Sequence, residues 1–266
     1  SVTLTQLGSV LREQGTLAEA EAMHCEALAI RRKLLGPEHI EVSGAMHNLA
    51  MVLRAQGNVT EAETMFREAL AISRKVSPEH PYVENHLTHL AQILAGQGQP
   101  AEAEAMYREA LVLRRKRLGN EDLDVARVLI PLGGLLLQEG RHAEAEPLLR
   151  EALAIQRHVL GPEHPEMAAS LRGLAGALVA QQKWQDAETV YRDLLTVLRK
   201  LLGEDHPHVA VCLAELGGVM VNQGQTEEGI TVLREAFAIR EQLLGPKHPD
   251  TIWSLFALAH LYKQAE

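Results

Sequence analysis

Six stops, Gly36, Ser77, Gly119, Gly161, Gly203 and Gly245, follow one another at a spacing of 41 residues and then of 42 four times. A fixed period of this size constrains the fold more than any other feature of the chain. It means a stacked array, in which each unit buries its apolar face only against its neighbours. The stretch before each stop repeats one pattern, clearest in GRHAEAEPLLREALAIQRHVLG at 140–161. Ala145 and Ala152 flank Leu149 on one stripe, Glu144 and Glu146 stand near the start, and Arg157 and His158 near the end. This is an amphipathic helix, acidic at its N-terminus and basic at its C-terminus, as the macrodipole favours.

Each unit opens with a second type of helix, marked by a Leu followed by a small residue: Leu7-Gly8, Leu49-Ala50, Leu90-Ala91, Leu132-Gly133, Leu174-Ala175, Leu216-Gly217 and Leu258-Ala259. Large apolar residues three before and four after that Leu complete a helical stripe, and the small residue lets a neighbouring helix approach. The spacing predicts first helices over 2–14, 40–56, 81–97, 123–139, 165–181, 207–223 and 249–265, and second helices over 16–35, 58–76, 99–118, 141–160, 183–202 and 225–244. Gly15, Gly57, Gly98, Gly140 and Gly224 suit a left-handed helix end inside each unit, with Gln182 as the exception. Links such as GPEHP combine a glycine stop with a proline at the next helix start. Pro131, inside the fourth first-helix, removes a bond to the carbonyl of Arg127 and is expected to bend it.

The spacing Leu49, Ala50, Leu53, Ala62, Phe66, Ala69 in the second unit resembles the tetratricopeptide repeat, lengthened here to 42 residues as in kinesin-light-chain-type repeats. The resemblance covers nearly the whole chain. It implies an all-α, right-handed αα superhelical solenoid, one domain over 1–266, with units at about 1–42, 43–83, 84–125, 126–167, 168–209 and 210–251 and a final first-helix at 252–266. It also implies a groove, lined by first helices, that holds a partner peptide or domain, and no catalysis. Departures are His24, Leu194 and Gly229. The paired Asn that kinesin light chains carry before the Leu-small pair is reduced to Asn48 beside His47, so cargo binding is not carried over, although both residues join the candidate partner-binding set.

Composition closes several classes. With a net charge of −9 and interleaved bases, the chain offers no face for a phosphate backbone, and so no nucleic-acid partner. Its longest apolar run, Val128 to Leu137, is too short to span a bilayer and predicts no membrane partner. Cys25 and Cys212 stand too far apart in an array to pair, which points to a reducing, cytoplasmic setting. The link histidines His39, His80, His164, His206 and His248 read as helix-start residues, because equivalent positions in successive units are too distant to share a metal ion. No cofactor is expected, since Gly133-Gly134 and Gly217-Gly218 lie within helices and lack the context of a phosphate loop. The start at Ser1 and the stop partway through a unit read as a piece of a longer protein.

On each first helix, residues five and two before and two and five after the marker Leu lie roughly 140° to 200° from it. This stripe is mostly polar or small in the first three helices. It then turns apolar: Arg127, Ile130, Gly134, Leu137; Ala169, Arg172, Gly176, Val179; Val211, Ala214, Gly218, Val221; and finally Trp253 and Phe256. Gly134, Gly176 and Gly218 each cost about 1 kcal/mol against Ala in a helix interior, so close approach of another backbone is expected there. Two readings of the stripe stand: a trough that takes a partner's apolar side chains while Arg127 and Arg172 meet a carboxylate, or a stripe that the array seals against itself. Trp253 and Phe256 could also be core against a further helix. For the whole chain, a non-catalytic binding scaffold leads; a sensor segment of a larger enzyme, which could contact that enzyme's other domains, and a self-assembly element are the alternatives.

Overall fold

The computed structural model describes residues 2–265, and among them it contains thirteen helices and no strand. The described residues divide into two compact units, 1–120 and 121–266. The first holds α1 (Val2–Glu13), α2 (Leu17–Leu35), α3 (Ile40–Ala55), α4 (Val59–Val76), α5 (Pro81–Gly96) and α6 (Pro100–Leu118). The second holds α7 (Leu123–Gln138), α8 (His142–Leu160), α9 (Met167–Ala180), α10 (Trp184–Leu202), α11 (Pro207–Asn222), α12 (Thr226–Leu244) and α13 (Pro249–Ala265). The division falls in the link Gly119-Asn120-Glu121-Asp122, where Asp122 stands in place of the His that the other links share. The fold is an all-α solenoid of two-helix repeats.

The helix ends follow the sequence closely, for local reasons. His39 Nδ1 accepts the backbone N–H of Glu41 at 3.2 Å, and His80, His164, His206 and His248 do the same two residues on. Asp122 takes the role in the third link, accepting from the backbone N–H of Asp124 at 2.8 Å. Each satisfies a donor that the first helical turn leaves unpaired. Within the repeats, Gln182 (φ 57°) is the one non-glycine residue with positive φ among the described residues. One boundary differs from expectation: α9 begins at Met167, not near 165. Met167 and Ala168 donate to carbonyls three residues back, and Gln156 holds the Glu166 carbonyl at 2.9 Å, so the chain makes a tighter turn first. α7 continues through Pro131, and α8 through Pro147, a residue the pattern did not single out.

Small-on-large packing builds both cores. Ala62, Phe66 and Ala69 are fully buried in α4, as are Ala145 and Ala152 around the buried Leu149 in α8. The departures from the repeat pattern are compensated. His24 fills the space that Gly8 leaves, since a Cβ at Gly8 would sit 2.7 Å from its ring. A Cβ at Gly229 would lie 2.8 Å from Val221 and 3.0 Å from the Gly217 carbonyl, so α11 and α12 need glycine on both sides of their contact. Leu194 is simply buried.

Two polar ladders escaped the sequence reading. At the ends of α3, α5, α9 and α11 a Gln donates to a Glu of the preceding second helix: Gln56 to Glu21, Gln97 to Glu63, Gln181 to Glu146 and Gln223 to Glu188, each at 2.8 Å. Burial pushes the Glu146 and Glu188 carboxyls up, but their hydrogen bonds, from Lys183, Gln181 and Arg150 and from Arg192, Gln223 and Gln225, hold them below the usual carboxylate range. On the outer face an Arg of one second helix pairs with an acid of the next, as in Arg74–Glu109 at 2.6 Å and Arg150–Asp186 at 2.7 Å. Arg157–Asp193 and Arg199–Glu235 repeat that contact.

Candidate partner-binding wall

In the second unit the apolar stripe is open. Trp253 and Phe256 are 72% and 66% exposed, and Val211 is 48% exposed. Arg127, Arg172 and Gly176 are exposed, while Ile130, Gly134, Leu137, Val179, Ala214, Gly218 and Val221 are partly buried. The wall is therefore not sealed against its own unit. A Cβ at Gly134, Gly176 or Gly218 would meet nothing within 4 Å. The expected close approach is not made by any described residue, in contrast with the neighbouring Gly133 and Gly217, where a Cβ would lie 2.8 Å from Leu149 and 2.6 Å from Leu233.

Two clefts open along this wall. One, of about 320 Å³, lies among α9, α10 and α11 and is lined by Arg172, Gly176, Tyr191, Val211, Cys212 and Glu215, with others. The second, of about 380 Å³, lies among α11, α12 and α13 and includes Ala214, Gly218, Val221 and Trp253. Cys212 donates its thiol to the Tyr191 carbonyl at 3.5 Å, and burial, with Glu215 next, pushes that thiol up to about 12, so it is a neutral filler. Burial, reinforced by Glu215, likewise raises the Tyr191 phenol. The two arginines differ. Arg127 is engaged by Asp124 at 2.9 Å and Glu166 at 3.8 Å, whereas no described carboxylate lies within 4 Å of Arg172.

The first unit presents a different surface. His47 of α3 meets His86 of α5 with their Nδ1 atoms 3.0 Å apart. His89 joins them, its ring 5.0 Å from His47 and stacked on Phe66 at 5.7 Å. Arg54 donates to the side-chain Oε1 of Gln92 at 2.7 Å and lies 3.5 Å from His89 Nδ1. Burial above all pushes the imidazoles of His47, His86 and His89 down to about 2, 3 and 4. Asn48, beside them in sequence, is partly buried. The sequence reading placed His47 on the stripe but missed His86 and His89. The signal was available: all three lie within four residues of the marker Leu on adjacent first helices.

The tetratricopeptide-repeat family profile matches residues 1–75, 41–116, 124–200, 167–221 and 211–266, and a second profile of the same family matches 88–159. The chain belongs to the tetratricopeptide-repeat family. No curated protein sequence matches it significantly. Among solved structures it is similar to the kinesin-light-chain-like TPR repeats of a putative Podosopora anserina protein, at 28% identity and TM-score 0.66, covering 77% of this chain and 98% of that one. It also resembles BtubC (BKLC) from P. vanneervenii, at 21% identity and TM-score 0.69, covering 88% and 94%. A third likeness is YrrB, described as a TPR protein with an unusual peptide-binding site, at 15% identity and TM-score 0.62, covering 87% and 97%. The fold is that of a protein-interaction scaffold, a family generally without catalysis. Among the described residues no group of side chains is arranged to hold a metal ion, and no helix is long and apolar enough to cross a membrane.

Proposed function

We propose that the wall from Arg127 to Phe256 binds a partner segment carrying apolar side chains beside a carboxylate. The single observation that carries this is the run of three equivalent glycines with nothing within 4 Å of their missing Cβ atoms, set among exposed and partly exposed apolar residues. A helix interior that gives up about 1 kcal/mol at each of three equivalent positions, with no packing gain inside the chain, is offset by a backbone from outside it. Arg172, with no described carboxylate within 4 Å, supplies the charge; Arg127, held by Asp124 and Glu166, contributes less. Trp253 and Phe256 supply the large apolar anchors typical of interface centres. His47 and Asn48 serve a separate, more polar contact on the first unit. As a binding scaffold the protein works as a non-enzyme with a peptide or domain as partner.

A random peptide library selected on the wild-type chain tests this. Selected peptides should pair Leu, Ile or Phe with Asp, Glu or a free C-terminus. Gly176→Leu with Gly218→Leu should abolish their binding, and Arg172→Glu should weaken it at least about tenfold while helicity stays constant. Unchanged affinity in both variants sinks the reading.

A second reading has its own support. Leu255 and Tyr262 of α13 are 54% and 46% exposed on the face that other first helices of the unit cover with a second helix, where Leu213 is 1% exposed. That face would let copies associate, and a mass by light scattering that stays monomeric over a wide concentration range removes this reading.

A further inference from the structure

The three histidines of the first unit are arranged so that only neutral rings fit. A contact between two Nδ1 atoms at 3.0 Å holds one proton; a second would set two N–H donors face to face. His86 is completely buried and its Nε2 has no hydrogen-bond partner, so an imidazolium there would place a charged donor against nothing. The charged groups facing the cluster are of the wrong sign. Arg12 of α1 and Arg54 of α3 act on His47, Arg114 of α6 joins those two on His89, and His80 acts on His86. From α4 the neighbour is the uncharged Phe66 ring, and from α5 also Tyr82 and Gln92. The nearby acid, Glu84 of α5, is committed to Arg117 at 2.8 Å and Arg114 at 3.4 Å.

We propose that the His47–His86–His89 cluster is an acid-sensitive latch that holds α3 against α5 while its rings are neutral and releases the first unit on mild acidification. The second unit has no counterpart. Its link histidines sit at helix starts; at the places of His47 it has Ile130, Arg172 and Ala214, and at those of His89 it has Pro131, Gly173 and Glu215. Release would remove the polar wall of the first unit and leave the apolar wall of the second standing.

The sign follows from proton counting. Imidazoles held below their ordinary value of about 6.5 bind fewer protons folded than unfolded, so their contribution is complete above that pH and falls as the pH drops toward the folded values. Each such ring lowers the folding equilibrium constant up to about tenfold per pH unit in that window. The depressed carboxyls Glu146 and Glu188 lose their contribution only below the unfolded carboxylate range, so the interval from about pH 6.5 to 5 isolates the imidazoles.

The test follows the full chain by hydrogen exchange from about pH 7.5 to 5, corrected for intrinsic exchange rates. Protection in peptides from 40–96 should fall at least about a hundredfold, and in those from 165–222 less than about tenfold. His86→Leu should blunt the fall, while His206→Gln with His208→Gln should leave it unchanged. Should His86→Leu fail to fold, proton NMR of the wild-type rings decides. Three rings silent above about pH 5 in the folded chain support the latch, and rings titrating near 6.5 overturn it. Equal loss of protection in both units overturns it as well.

Discussion

The first and second units share one period, one set of helix ends and one way of packing alanine against a large residue, yet their exposed stripes are opposites. In the first, the spaces between α3, α4 and α5 are filled by imidazoles and a phenylalanine ring. In the second, the equivalent places carry glycines open to solvent and aliphatic residues around an arginine. The repeat fixes where side chains stand; the residues at about four positions per first helix decide whether the wall is filled from within or left for something else. Scaffold and surface can therefore vary separately.

The sharpest way to break this contrast is to empty the filled wall. Phe66→Ala removes a fully buried ring from under His47 and His89 and should cost about 3–5 kcal/mol. Hydrogen exchange should place that loss in residues 40–96, with 165–222 still protected; a uniform loss would show that the two walls are energetically one. Smaller, and opposite in sign at adjacent residues, is the pair at 217 and 218. Gly217→Ala drives a methyl to 2.6 Å from Leu233 and 3.1 Å from the Gly229 carbonyl, and should destabilise by about 1–3 kcal/mol. Gly218→Ala meets nothing and should stabilise by up to about 1 kcal/mol in a denaturant titration. If Gly218→Ala also destabilises, the open wall is not open. The smallest effect separates surface from core: double-mutant cycles on Arg74–Glu109 and Arg150–Asp186, both pairs about half exposed, should each give about 0.2–1 kcal/mol and shrink in salt, alike in the two units. A clear inequality would mean that the units differ on the outer face too.

Helix boundaries were legible because Gly, Pro and His act on their own neighbours: twelve residues of α1 or nineteen of α8 can be bounded from their ends alone. The start of α9 was missed because its first turn depends on Gln156, eleven residues before Met167 and on another helix. The apolar character of the second wall could be read from helical spacing. Its openness could not: helical spacing places Gly218 on the stripe opposite Gly217, but whether another helix covers that stripe depends on packing far along the chain. The pairing of Arg127 with Glu166 and the meeting of His47 with His86 were hidden for the same reason, lying 39 residues apart in each case. The Gln–Glu ladder is legible from the sequence, for Gln56, Gln97, Gln181 and Gln223 and their partners Glu21, Glu63, Glu146 and Glu188 hold equivalent places in their repeats.

The outer rail of arginines and acids has a direction: the cation always belongs to the earlier helix and the anion to the later. Were residues 168–209 excised, Arg157 would come opposite Glu235 in place of Asp193, and Arg150 opposite Glu228 in place of Asp186. Inserting a further copy keeps the same order. Lengthening or shortening by whole modules thus leaves no arginine of this rail without an acid, which makes copy number a quantity that duplication and deletion can change without first redesigning that seam.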